Sequence, residues 1–252
     1  CTTAPITERK QLKLIPEAKL NAQAAQIYEK IKKKEKLLNN EKLTEIKTIG
    51  KKMQDSISEY FYQSNLPDPT ANFDWEYILI ENKKVKNAWC MPGGKIVVYT
   101  GILPVAQSET GLAMILGHEL AHALANHGAQ RMTAQQGQAI VGAAGGIALG
   151  DSRAGQLFNQ YYGVASTVGG ILPFSRSHES QADEIGTIIA AIAGYDPYEA
   201  PKLWERMKAQ GGSAPTELLS THPSPDTRIQ ALQQIAPRAA AEAKKFGVTS
   251  FK

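Results

Sequence analysis

The sequence predicts an α+β fold that is mainly helical. Three observations predict it. Apolar residues recur at helical spacing over long stretches of the 252 residues, the mark of amphipathic helices with one buried face. Only two short runs have the β-branched and aromatic character of strands, Tyr77-Ile78-Leu79-Ile80 and Lys95-Ile96-Val97-Val98-Tyr99-Thr100. Proline and glycine clusters separate the periodic segments rather than interrupt them.

Residues 1–15 hold Thr, Pro and charged residues without a period, and are expected to form a flexible leader. Residues 16–65 are expected to form N-terminal helices. Ile27 and Ile31, then Ile46, Ile49, Met53, Ile57 and Tyr60, keep helical spacing on either side of a break at Asn39-Asn40. Leu66-Pro67-Asp68-Pro69 ends the second helix. The first strand, 77–80, leads into a charged turn at 81–84. Pro92-Gly93-Gly94 then makes a turn in which glycine allows positive φ and close approach by another chain. A helix starts at Ser108-Glu109, carries Leu112, Ile115, Leu116, Leu120 and Leu124 on its apolar face, and ends at Asn126-His127-Gly128. Residues 130–172 are rich in Gly, Ala and Gln, and within them 137–150 suits a packed helix or a mobile loop. Helices are expected at 175–193, 198–210 and 226–235, with a loop at 211–225. The remainder, 237–252, is a tail or helix.

Composition narrows the function. The chain is 42% hydrophobic and 21% charged, ordinary for a globular protein. Its net charge of +4 is concentrated near the N-terminus without aromatic interleaving, so it reads as a solvated helix face and not as a nucleic-acid surface. Two cysteines, Cys1 and Cys90, make neither a disulfide framework nor a thiolate metal site. Cys90 reads as a buried thiol with no part in catalysis. No apolar run reaches the roughly 18 residues of a membrane span. Cys1 at the start of the chain reads as a processed end of the kind that carries a lipid anchor.

The chemistry centres on Gly117-His118-Glu119-Leu120-Ala121-His122, an H-E-x-x-H pattern on a confidently helical segment. Side chains four residues apart share a helix face, with Cβ atoms about 5–6 Å apart. Two imidazoles at that spacing can converge on one ion, and the Glu after the first can reach a water on that ion without ligating it. A catalytic zinc site needs a third protein ligand. His127 is the nearest, but the longer H-E-x-x-H-x-x-G-x-x-H pattern would need Gly at 125 and His at 128, where this chain has Ala125 and Gly128. His127 therefore reads as a helix end, where a cation suits the carbonyl-rich terminus. Glu179, in Ser177-His178-Glu179-Ser180-Gln181-Ala182-Asp183, supplies the third ligand from a second helix, with His178 its rival. Asp183, four residues on, is placed to accept a hydrogen bond from a ligand histidine. A last cluster, Ser220-Thr221-His222-Pro223 with Arg228, sets His222 in a loop between helices.

Together, Asn87-Ala88 with Pro92-Gly93-Gly94, the H-E-x-x-H segment, Glu179 with Ala182-Asp183, and Ser220-Thr221-His222-Pro223 with Arg228 resemble the gluzincin metallopeptidases of family forty-eight. That group takes in HtpX and CAAX prenyl protease-like peptidases and bacterial periplasmic lipoprotein proteases. The resemblance spans about Trp75 to Ala236 and implies a zincin-like catalytic domain at 66–236, with a small sheet over the H-E-x-x-H helix. It implies one Zn2+ held by His118, His122 and Glu179, with Glu119 as catalytic base. It implies that His222, aided by Arg228, stabilises the oxyanion. It also implies that Gly93, Gly94 and the strand of Lys95, Ile96, Val97 and Val98 form the cleft edge, to which a peptide adds as an extra strand. The implied activity is endoproteolysis of misfolded or damaged envelope proteins, with envelope-protein partners. Cys1 adds an expected lipid anchor in the bacterial periplasm, and Thr2 after it favours the outer membrane over the inner by analogy with enteric sorting. Three other readings stand beside it: a latent protease acting as a binding module with 130–172 as lid, an envelope chaperone working through its N-terminal helices, and a metal-free structural protein.

Overall fold

The computed structural model describes residues 2–11, 16–130, 174–210, 217–223 and 226–252. The expectations for Cys1, for the Gly- and Ala-rich segment beyond Gln130 and for most of the loop at 211–225 fall outside the described residues.

Helix α1 (Glu17–Lys34) buries Leu20, Ala24, Tyr28 and Ile31, one stripe along its length. The expected break follows, and it holds a short strand, β3 (Leu37–Leu38), after the N-terminal pair β1 (Thr2–Thr3) and β2 (Lys10–Gln11). Asn40 caps α2 (Glu41–Gln63), its side chain accepting from the amides of Lys42 and Leu43. Strands β4 (Glu76–Ile80), β5 (Ala88–Met91) and β6 (Lys95–Tyr99) complete a four-stranded sheet in the order β3-β4-β6-β5. Strands β4 and β6 are parallel, and β5 pairs antiparallel with β6.

Both faces of the sheet are buried, and the two-residue period sorts its side chains. Ile78, Ile80, Val97, Tyr99 and Met91 pack with the stripe of α1. Leu79, Ile96, Val98, Ala88 and Cys90 face the main core with Ile46, Ile49, Met53 and Ile57 of α2.

A short 3-10 turn and α3 (Leu103–Ala106) lead to α4 (Glu109–Leu124), capped by the Ser108 side chain on Gly111 N at 3.0 Å. Nearly all of α4 is buried, because β5, α2 and the following helices surround it. Helix α5 (Arg176–Ile192) crosses it at a glycine contact: a Cβ on Gly186 would lie 2.7 Å from the Gly117 carbonyl carbon. The close approach brings the first turns of α5 beside the middle of α4. Helices α6 (Glu199–Gln210), α7 (Glu217–Thr221) and α8 (Asp226–Lys245) close the bundle. The expected mainly helical α+β fold, with a small sheet over the H-E-x-x-H helix, is what the structure has.

Four expectations change. Within the expected loop at 211–225, Glu217–Thr221 form a short helix. Helix α8 does not stop before Pro237, because Ala239 and Ala243 are fully buried against Ile188, Ala191 and Ile192 of α5, and that packing outweighs a missing amide. The leader is not without structure: β1 and β2 form a hairpin, and Ala4 is 2% exposed. Strand β6 is not an edge. It is paired on both sides, so Lys95, Ile96, Val97 and Val98 have no free backbone for a peptide to join. Lys95 also points to the α1 face, 2.9 Å from Asp74 Oδ2. Gly93 and Gly94, at φ 84° and 87°, turn the chain between β5 and β6, and their carbonyls accept from the amides of Asp74 and Glu76. The outer strand of the sheet on this side is β5.

Candidate metal centre

His118 and His122 lie one turn apart on α4, and Glu179 in the first turn of α5, where the glycine crossing holds the two helices together. His222 follows α7. One donor atom from each of these four converges, all within 4.8 Å of one another. Each of these residues is at most 4% exposed.

The pairwise distances fit a metal ion. His118 Nε2 lies 3.1 Å from His122 Nε2, 3.2 Å from Glu179 Oε2 and 3.4 Å from His222 Nδ1. His122 Nε2 lies 3.1 Å from Glu179 Oε1. A tetrahedral ion with bonds of about 2.0–2.1 Å spaces its ligands by about 3.3–3.4 Å. Aiming several ring nitrogens at one point makes little sense as hydrogen bonding alone, since lone pairs then face one another.

The electrostatics also favour a cation at this point. Burial opposes charge on His118, but the carboxylates of Glu179 and Asp183 outweigh it and push its imidazole up to about 9. Burial works against the Glu179 carboxylate too, yet the surrounding imidazoles hold it well below the usual carboxylate range. His122 is driven well below the usual imidazole value, chiefly by burial. Burial raises the Glu119 carboxyl, with the nearby histidines pulling the other way. Glu119 Oε1 is buried without a hydrogen-bond partner, 3.3 Å from His222 Nε2. An acceptor in that position suits a carboxylate that receives a proton from water.

Further groups brace the cluster. Asp183 Oδ1 is 3.1 Å from His118 Nδ1, in ion-pair contact without the alignment of a hydrogen bond. Arg228 donates to both Asp183 oxygens, from Nε at 2.8 Å and Nη2 at 2.7 Å. Its Nη1 lies 2.9 Å from Glu179 Oε2 and donates to the Pro223 carbonyl at 2.5 Å. The guanidinium stacks 4.6 Å over Trp204. Arg228 is thus spent on the two carboxylates and on the loop of His222. Phe174 stacks on His122 at 4.1 Å between ring centroids, and Trp204 stands edge-on to His118 at 5.0 Å. Cys90 is buried, and burial raises its thiol far above the usual value.

The structure therefore brings together His118, His122, Glu179, His222, Glu119, Asp183 and Arg228. Two residues have places the sequence reading did not foresee. His127 is fully buried and lies beyond the end of α4 at Leu124, not in its last turn. Asn126 takes a left-handed φ of 55° after α4, the usual helix stop, and turns the chain so that His127 Nδ1 comes within 2.9 Å of His122 Nδ1. Gln181, two residues before Asp183 on α5, reaches His127. The only sequence signal for either was its nearness to a residue of this cluster.

A buried H-E-x-x-H helix beside a second helix that carries a carboxylate defines a zincin-like metallopeptidase site. Residues 49–236 match peptidase family M48. The chain belongs to peptidase family M48.

Relatives place it further. It is 38% identical over 166 residues to the mitochondrial metalloendopeptidase OMA1 of Arabidopsis thaliana, covering 64% of this chain and 31% of that protein. It is 36% identical over 171 residues to the protein of the same name in Schizosaccharomyces pombe, covering 67% and 49%. It is 32% identical over 162 residues to the beta-barrel assembly-enhancing protease of Escherichia coli K12, covering 62% and 33%. The chain thus spans from a third to half the length of these relatives. The expected outer-membrane periplasmic location is corrected by them: relatives at 36% and 38% identity are named as mitochondrial proteins, and no finding supports a lipid anchor. Among the described residues no helix is long and apolar enough to cross a membrane.

Proposed function

We propose that this chain is a zinc-dependent endopeptidase in which His118, His122 and Glu179 hold the ion and Glu119 is the base. The convergence of four buried donor atoms within 4.8 Å, next to an unpartnered Glu119 oxygen, carries this reading. Zinc suits two imidazoles and a carboxylate in a tetrahedral set.

Bound there, zinc supplies the Lewis acidity that makes water a nucleophile near neutral pH. Glu119 takes the proton of the attacking water and passes it to the leaving amine. Glu119 is only 4% exposed, which limits competing water around it. His222 Nε2, beside Glu119, offers a donor to the oxyanion as the carbonyl is attacked. The outer strand β5, which packs over α4, offers backbone groups to which an extended peptide can add. The residues proposed for this domain are 66–236, with 16–65 packed on it and 237–252 closing it.

The substrate class is polypeptide, and the finer reading is turnover of misfolded or damaged envelope proteins. The similarity to a protein named for enhancing β-barrel assembly supports it. Hydrolysis of a fluorescein-labelled unfolded protein tests the chemistry. Glu119→Gln should keep its zinc and lower kcat by about 10²–10⁴-fold; unchanged turnover would remove Glu119 as base.

A second reading concerns His222, because its Nδ1 stands at the fourth corner of the donor set, 2.7 Å from Glu179 Oε1. There it would close the site rather than serve the transition state. His222→Ala separates the two: a lower kcat at constant KM supports the oxyanion role, and a rise in activity supports a closed, latent site.

A further inference from the structure

His122 reaches the donor cluster through Nε2, and its other nitrogen begins a chain of contacts that leaves the site. Nδ1 of His122 lies 2.9 Å from Nδ1 of His127. Nε2 of His127 lies 2.5 Å from Gln181 Oε1. Gln181 Nε2 in turn donates to the hydroxyl of Thr7 in the N-terminal segment. His127 is wholly buried and Gln181 nearly so.

Proton bookkeeping gives this chain one direction. A histidine that offers its Nε2 lone pair to a metal carries its proton on Nδ1. That proton is donated to His127 Nδ1, so His127 keeps its own on Nε2. The Nε2 proton goes to the amide oxygen of Gln181, whose NH2 is then left to donate to Thr7. Each member has one acceptor and one donor in use, and none is in conflict. Reversing any step would put a second proton on a neutral imidazole or turn the His122 Nε2 lone pair away from the cluster.

We infer that His127 and Gln181 are positioning residues for His122: they fix its tautomer and ring angle toward the metal and tie that ligand to the N-terminal segment. The inference rests on the metal reading given under Proposed function. The N-terminal segment is held where the relay ends. Ala4 is buried, Ala4 N donates to Arg9 O at 2.7 Å, and Arg9 Nη1 reaches Ser177 O at 3.5 Å on α5. Partners that orient a ligand histidine are generally worth about 10–100-fold in metal affinity.

The test is zinc affinity by chelator competition on the full chain, with the visible spectrum of the cobalt(II)-loaded protein as a second readout. His127→Phe keeps ring volume against His122 and removes both nitrogens. It should bind zinc about 10–100-fold more weakly and alter the cobalt spectrum, while His127→Gln, which restores an acceptor, should recover most of the loss. Thr7→Val should show a smaller loss in the same direction. Wild-type affinity and spectrum in His127→Phe would overturn the inference. If that variant does not fold, Gln181→Leu and Gln181→Glu decide: loss in the first and recovery in the second support the relay, and equal affinities overturn it. Wild type and His122→Ala separate the two levels. Zinc bound by wild type and lost in His122→Ala upholds the metal reading, so that an unaffected His127→Phe would then sink the relay alone. No zinc in wild type would sink both.

Discussion

The two histidines of α4 are one turn apart, yet the protein backs them in opposite ways. His118 faces a charged bracket: Asp183 at its Nδ1, with Arg228 donating to both Asp183 oxygens and touching Glu179. His122 faces a neutral one of imidazole, amide and hydroxyl. Burial drives His127 down to about 3, so it carries no charge near neutral pH. The difference follows from the net charge of the centre. With one divalent ion in place, its charge and that of Arg228 would balance the three carboxylates of Glu119, Glu179 and Asp183. A second carboxylate behind His122 would leave a buried negative charge without a partner, which costs several kcal/mol. A neutral relay orients the ring without that cost.

Removing the cation of the charged bracket should have the largest effect on folding. Arg228→Leu leaves Asp183 and Glu179 buried without their shared partner, and should destabilise the metal-free protein by about 3–5 kcal/mol. Urea unfolding measures it, and a loss below about 1 kcal/mol would mean that solvent already compensates these carboxylates. A smaller change should follow Asp183→Asn, which removes the negative charge behind His118 and keeps an acceptor near it. Zinc affinity by chelator competition should fall about 10–100-fold, with Arg228 losing one bidentate partner. An unchanged affinity would show that the charge behind His118 has no bearing on the metal and that the two brackets are equivalent.

Much of this was legible beforehand because it is local. The pattern of His118, Glu119 and His122 declares its own geometry through helical spacing, and Glu179 with Asp183 repeats the logic on α5. The Asn39-Asn40 break is equally local, since the Asn40 side chain caps the next helix itself. What could not be read depends on partners distant in the chain. Strand β6 carries the composition of any buried strand, and nothing in Lys95–Tyr99 tells that β4 and β5 flank it. The Gly117–Gly186 contact, which sets the distance between α4 and α5, joins residues that look ordinary in their own segments. His127 was misread because a single left-handed residue, Asn126, redirects the chain. Pro237 misled in the opposite sense, since tertiary packing carries α8 past it.

The metal content of the purified protein, by elemental mass spectrometry, tests the central claim most directly when wild type is compared with Glu179→Ala. The account predicts about one zinc per wild-type chain, mostly lost in the variant. Zinc at full occupancy in Glu179→Ala, or none in wild type after zinc is supplied, would contradict it.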